Sequence, residues 1–140
     1  MTEDLPEEHN QVTLDPELTD SHGIPAPRIQ YTISENTDKM LAHGVQTATQ
    51  VMETAGAREI FSARQRRNAG WHLLGTARMG DDPNNSVVDR WGRAHDVPNL
   101  FVIDGSIFTT GASINPTTTI QALALRTADY LKGEGRSTIG

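Results

Sequence analysis

Leu100-Phe101-Val102-Ile103-Asp104-Gly105-Ser106, followed after a small-residue loop by Asn115-Pro116-Thr117-Thr118-Thr119-Ile120, is the stretch from which the fold is read. Four consecutive apolar residues bounded by turn signals mark a strand buried on both faces. Asn115 suits an N-cap and Pro116 the first helical position, where a fixed φ and a missing N–H cost nothing. Ile120, Leu123, Ala124, Thr127, Ala128 and Leu131 then line one face of a helix that Gly133 ends, with a mobile tail to Gly140. In open α/β sheets, ligands sit beyond the carboxyl ends of strands, where loops and helix starts converge. A helix start carries unpaired N–H groups and the positive end of the macrodipole, so it favours anions or developing negative charge. Alone, the unit reads equally as an ordinary strand, loop and capped helix.

Upstream, Gln11–Leu14 alternates as a short strand, and the prolines and glycine of Asp15–Pro27 mark a loop. Arg28–Ile33 alternates again, with Ile29, Tyr31 and Ile33 on one face. Ser34 offers an N-cap, and Leu41, Val45, Ala48 and Met52 recur at helical spacing, predicting a helix over Glu35–Ala55 stopped by Gly56. Arg58–Phe61 suits a further short strand. Ser62–Gly70, with Arg64, Arg66 and Arg67, reads as a solvated basic loop.

The chain has 140 residues and a net charge of −6, with no basic stripe. That argues against nucleic acid, whose binding depends on neutralising phosphates. No apolar run approaches the ~20 residues needed to span a bilayer, and no signal peptide opens the chain, so the compartment stays unassigned. Without cysteine there are no disulfides or thiolate metal sites. His9, His22, His43 and His95 form no metal spacing with one another or with His72. His43 reads as exposed, His95 as a surface residue in a turn, Trp71 and Trp91 as core or pocket-lining, core first. Arg78 suits either a ligand group or a structural ion pair.

Trp71-His72-Leu73-Leu74-Gly75-Thr76-Ala77-Arg78-Met79-Gly80 by itself is a histidine beside a glycine-rich turn, structural or catalytic. Taken in order with VVDRWGRAHDVPNLFVIDGS (residues 87–106) and INPTTTIQALALRTADYL (residues 114–131), it resembles the C-terminal region of the glucose–methanol–choline oxidoreductases. The resemblance is close over His72–Leu131 and looser upstream. It implies a mixed α/β fragment: the end of an antiparallel-sheet substrate domain over residues 1–98, with the active-site loop, and the last strand and helix of an FAD-binding Rossmann-like domain over residues 99–140. It implies FAD as cofactor and an alcohol, polyol or sugar as small-molecule substrate. It maps catalytic roles to His72 and Asn115, and cofactor contacts to Asp104, Gly105, Asn115, Pro116 and Thr117.

The chemistry agrees with that mapping. An alkoxide expels hydride far better than an alcohol does, so a base must take the hydroxyl proton. Histidine, with an ordinary pKa near 6.5, suits that task. Asn115 can only donate and accept hydrogen bonds, so it would orient the hydroxyl. The family's Gly-x-Gly-x-x-Gly phosphate-binding unit is absent from this sequence. The expectation is therefore a piece of a longer enzyme or a truncated product that needs a separate FAD-binding region or chain, and that binds little FAD alone. The alternative is a non-catalytic remnant serving as a binding module.

Overall fold

Val12 and Leu14 alternate with polar neighbours, and they pair as that pattern requires. In a computed structural model describing residues 2–64, 70–111 and 114–138, β1 (Gln11–Thr19) runs antiparallel to β2 (Pro25–Gln30). Val12 faces Ile29 and Leu14 faces Pro27; the register then shifts, so that Thr19 faces Pro25. The shift has a local cause. Pro16 has no N–H to give to a ladder, and Asp15 Oδ1 accepts the backbone N–H groups of Glu17 (2.9 Å) and Leu18 (2.8 Å). Those two bonds, Leu18's foremost, hold the Asp15 carboxyl below the usual carboxylate range. The hairpin thus corrects the expected boundaries. Residues 15–19 and 25–27 are strand because a two-stranded ladder has open edges, where proline is tolerated. Tyr31–Ile33 leaves the ladder because the Asn10 side chain replaces it, donating to Thr32 O (3.1 Å) and accepting from Thr32 N (2.7 Å).

Helix α1 (Glu35–Thr54) starts and stops where the sequence indicates. Ser34 Oγ accepts the Thr37 N–H (3.2 Å), and Gly56 N and Ala57 N close the C-terminus on Glu53 O and Met52 O. Buried Thr37 donates its hydroxyl to Asp4 Oδ1 (2.8 Å), while the Tyr31 hydroxyl donates to Asp4 Oδ2. One carboxylate therefore ties the lead-in to the end of the hairpin and the start of α1. Arg64 reaches back to Asp38, bonding its carboxylate at 2.6 Å and its carbonyl at 2.9 Å. Arg66 and Arg67 lie outside the described residues. Arg58–Phe61 does not form the expected strand.

The second half is built from short extended pieces. Gly75, Ala77 and Met79 donate backbone N–H groups to Gly105, Ser106 and Ile107. Val88 bridges Met79 and Ala94, and Arg93 bridges Phe101. Val88, Ala94 and Ile107 form the buried centre, with Met79, Val102, Phe108 and Leu123 packed around it. The expected boundary at 98/99 runs through this cluster.

Leu100–Ile103 is not the doubly buried strand expected of it. Leu100 is 50% exposed and Ile103 47%. Among the described residues, pairing exists only on the Arg93 side, through Ala94 N to Leu100 O and Val102 N to Gly92 O. A strand buried on both faces needs neighbours along both edges.

Helix α2 (Thr117–Lys132) follows as expected, but its cap residue is Pro116, in a helical conformation and without any side-chain cap bond. Asn115 lies one residue outside. Of the expected face, Thr127 is buried and Ile120, Leu123, Ala124 and Leu131 half-buried, while Ala128 is exposed; Gly133 ends the helix. The tail expected to be mobile forms a 3-10 turn over Glu134–Thr138.

Trp91 clasps α2. Its ring stacks on Tyr130 with centroids 4.4 Å apart and planes 5° off parallel, and the Arg126 guanidinium lies 4.4 Å from the ring centroid. Arg126 Nη1 also donates to Arg90 O (2.6 Å), and Thr127 Oγ1 to Trp91 O (2.9 Å).

Candidate functional site

Asp104 shapes the end of the extended run. Its Oδ1 accepts the Ser106 N–H (2.8 Å) and so caps a 3-10 turn over Gly105–Ile107. The Ser106 hydroxyl, then its N–H, hold the Asp104 carboxyl below its ordinary range. Gly105, buried behind it, is where three segments meet. A Cβ on Gly105 would lie 2.6 Å from Leu74 Cδ2, 3.3 Å from Leu73 O and 3.4 Å from Ile120 Cδ1. Only a residue without a side chain lets the backbone beside His72 and the first turn of α2 approach the same point.

The structure thus brings together the His72 segment, Asp104–Gly105 and the start of α2. His72 and Asn115 are both exposed, and they make no hydrogen bond with each other. Neither side chain has a hydrogen-bond partner among the described residues. Pro116 is half-buried and Thr117 exposed. Among the described residues no side chain caps α2 and no acid stands in its first turn, at the positive end of a 16-residue helix.

Other candidates resolve differently. Trp71, expected in the core, is 84% exposed, because the extended segment that carries it has no neighbour on its outer side among the described residues. Trp91 is half-buried in the clasp. Arg78 forms no ion pair among the described residues; its Nε donates to Asn85 O (2.8 Å). His43 is exposed, as expected.

His95, expected at the surface, is half-buried with Nε2 2.9 Å from Ser86 Oγ. Sequence spacing gave no sign of this pair. Ser86 donates its one proton to Asp82 O (2.6 Å), which leaves its oxygen accepting from His95. A serine so committed is not poised as a nucleophile. No group of three or more histidines and carboxylates suited to a metal occurs among the described residues.

The family model for GMC oxidoreductases, their C-terminal part, matches residues 6–124. The chain belongs to the GMC oxidoreductase family. It is 46% identical over 130 residues to 2-methyl-1,2-propanediol dehydrogenase of Mycolicibacterium austroafricanum, covering 92% of this chain and 24% of that protein. It is 40% identical over 132 residues to paromamine 6'-oxidase of Streptomyces fradiae (94% and 24%). The fructose dehydrogenase large subunit of Gluconobacter japonicus is 35% identical over 132 residues (91% and 23%). The chain therefore spans about a quarter of the length of these relatives. No helix among the described residues is long and apolar enough to cross a membrane.

Proposed function

We propose that this chain supplies the catalytic side chains of an FAD-dependent GMC oxidoreductase that oxidises the CH–OH group of an alcohol, polyol or sugar. The observation that carries the reading is the convergence at Gly105: the backbone beside His72 and the first turn of an uncapped helix share one contact point. The relatives, named for a diol, aminoglycosides and fructose, support a hydroxyl-bearing substrate.

A ring nitrogen of His72 takes the hydroxyl proton, and its exposure lets a substrate reach it. Asn115 hydrogen-bonds the same oxygen and holds the carbon in line. Bound FAD supplies the hydride acceptor. Asp104, Gly105, Pro116 and Thr117 would hold it. The fit rests on the donor set, since among the described residues α2 has no side-chain cap and no competing acid at its start. Such a helix end stabilises negative charge by ~0.3–1 kcal/mol when exposed and up to ~2 when partly buried. In the assembled enzyme, residues 1–98 would close the substrate domain and residues 99–140 the cofactor domain, beside a separate region that grips the pyrophosphate.

The test is His72→Ala in the flavin-loaded enzyme assembled from this chain and the region that grips the pyrophosphate. Flavin content should stay near wild type while the rate of flavin reduction by alcohol falls ~10²–10⁴-fold. An unchanged rate would remove the base assignment.

A further inference from the structure

We propose that Leu74 is a positioning residue for His72, a peg that fixes the catalytic backbone against the loop before α2; this rests on the role proposed for His72. Of the four residues Trp71–Leu74, only Leu74 is half-buried; Trp71 and Leu73 are 84% and 78% exposed. The His72 ring has no hydrogen-bond partner among the described residues, so its own side chain does not fix it. The backbone ladder is also weakest at this end. Gly75 N to Gly105 O is 3.3 Å, whereas the next two bonds, from Ala77 and Met79, are 2.8 and 2.9 Å.

Leu74 takes over where the ladder weakens, and its two methyls occupy two glycine positions. A Cβ on Gly105 would lie 2.6 Å from Cδ2, and one on Gly111 would lie 3.0 Å from Cδ1. Gly111, itself buried, lies four residues before Asn115 in the sequence. One side chain, two residues from the base, thereby lies against both Gly105 in the turn after Asp104 and Gly111. Its loss frees His72 to drift, and a misplacement of ~1 Å costs on the order of 10²-fold in rate.

The experiment combines a size swap with a rate split in the same assembled, flavin-loaded enzyme. Leu74→Ala should lower kcat for flavin reduction ~10–100-fold, with KM and flavin-to-protein ratio near wild type, and Leu74→Ile should recover most of the rate. Gly111→Ala should shift the melting temperature, and that shift should change in a Leu74→Val background, which lacks both δ carbons. Leu74→Ala at the wild-type rate, while His72→Ala is slow, overturns the peg alone. Wild-type rates in both Leu74→Ala and His72→Ala overturn the base reading as well, and the melting temperatures of Gly111→Ala and the double variant still report whether Leu74 contacts Gly111. Additive melting temperatures in the swap refute the contact itself.

Discussion

Removing the Trp91 ring should loosen α2 from the turn that holds it. Truncating a fully buried tryptophan costs ~3–5 kcal/mol. Trp91 is half-buried, so about half of that applies to area and cavity. The near-parallel stack on Tyr130 at 4.4 Å adds ~0.5–1.5 kcal/mol, and the Arg126 guanidinium 4.4 Å from the ring centroid ~0.5–1. Some of this overlaps with area, giving ~2–3 kcal/mol for Trp91→Ala. Trp91→Phe, which keeps a ring against Tyr130, should lose roughly half as much. The assay is urea unfolding of the 140-residue chain, followed by far-ultraviolet circular dichroism. A double-mutant cycle with Tyr130→Ala should return a coupling of ~0.5–1.5 kcal/mol. A Trp91→Ala protein within ~0.5 kcal/mol of wild type, or a cycle that is purely additive, would refute the clasp.

Other outcomes follow from single features. Gly92 has φ +74°, and a Cβ there would lie 2.5 Å from Val102 O, so Gly92→Ala should cost at least ~2 kcal/mol in urea unfolding; wild-type stability would show that the turn relaxes freely. Burial, then the hydrogen bond to Asp4 and its charge, push the Tyr31 hydroxyl up from 10.0 to about 12. Because the folded value is raised, the stability it contributes is fully present below about 10 and lost as pH climbs through about 12; tyrosinate absorbance should show the late titration, and Tyr31→Phe should abolish it. The 140-residue chain alone should emerge from gel filtration without FAD, because it lacks the glycine-rich unit. A stoichiometric, protein-perturbed flavin band would overturn that.

Features governed by local chemistry were legible in the sequence. Ser34 and Gly56 bound α1 because capping depends on residues within one turn. The periodicity of Ile120, Leu123, Thr127 and Leu131 places α2 and its packed face. Asn115 and Pro116 were each read one position too far into the helix, since Pro116 serves as the cap residue. What stayed hidden depends on contacts distant in sequence. Asp4 meets Thr37 across 33 residues, Trp91 meets α2 across 36, and no composition rule encodes either pairing. Asn10 standing in for a strand opposite Thr32 is likewise invisible to an alternation pattern, which supposes a backbone partner.

The deepest disagreement has the same physical origin. Leu100–Ile103 has the composition of an interior strand, yet half of Leu100 and Ile103 faces solvent. The hairpin repeats the pattern: Val12, Leu14 and Ile29 share one face by register and are 54%, 70% and 71% exposed. Apolar runs and period-2 alternation record that a face is to be covered, not what covers it. Burial returns ~25 cal/mol per Å² of apolar surface, so leaving these faces open forgoes stabilisation that a covering surface would provide. The N-terminal hairpin and the run before Asp104 lie far apart in the sequence and carry the same deficit. On the proposed reading, the remaining length of a GMC oxidoreductase covers both.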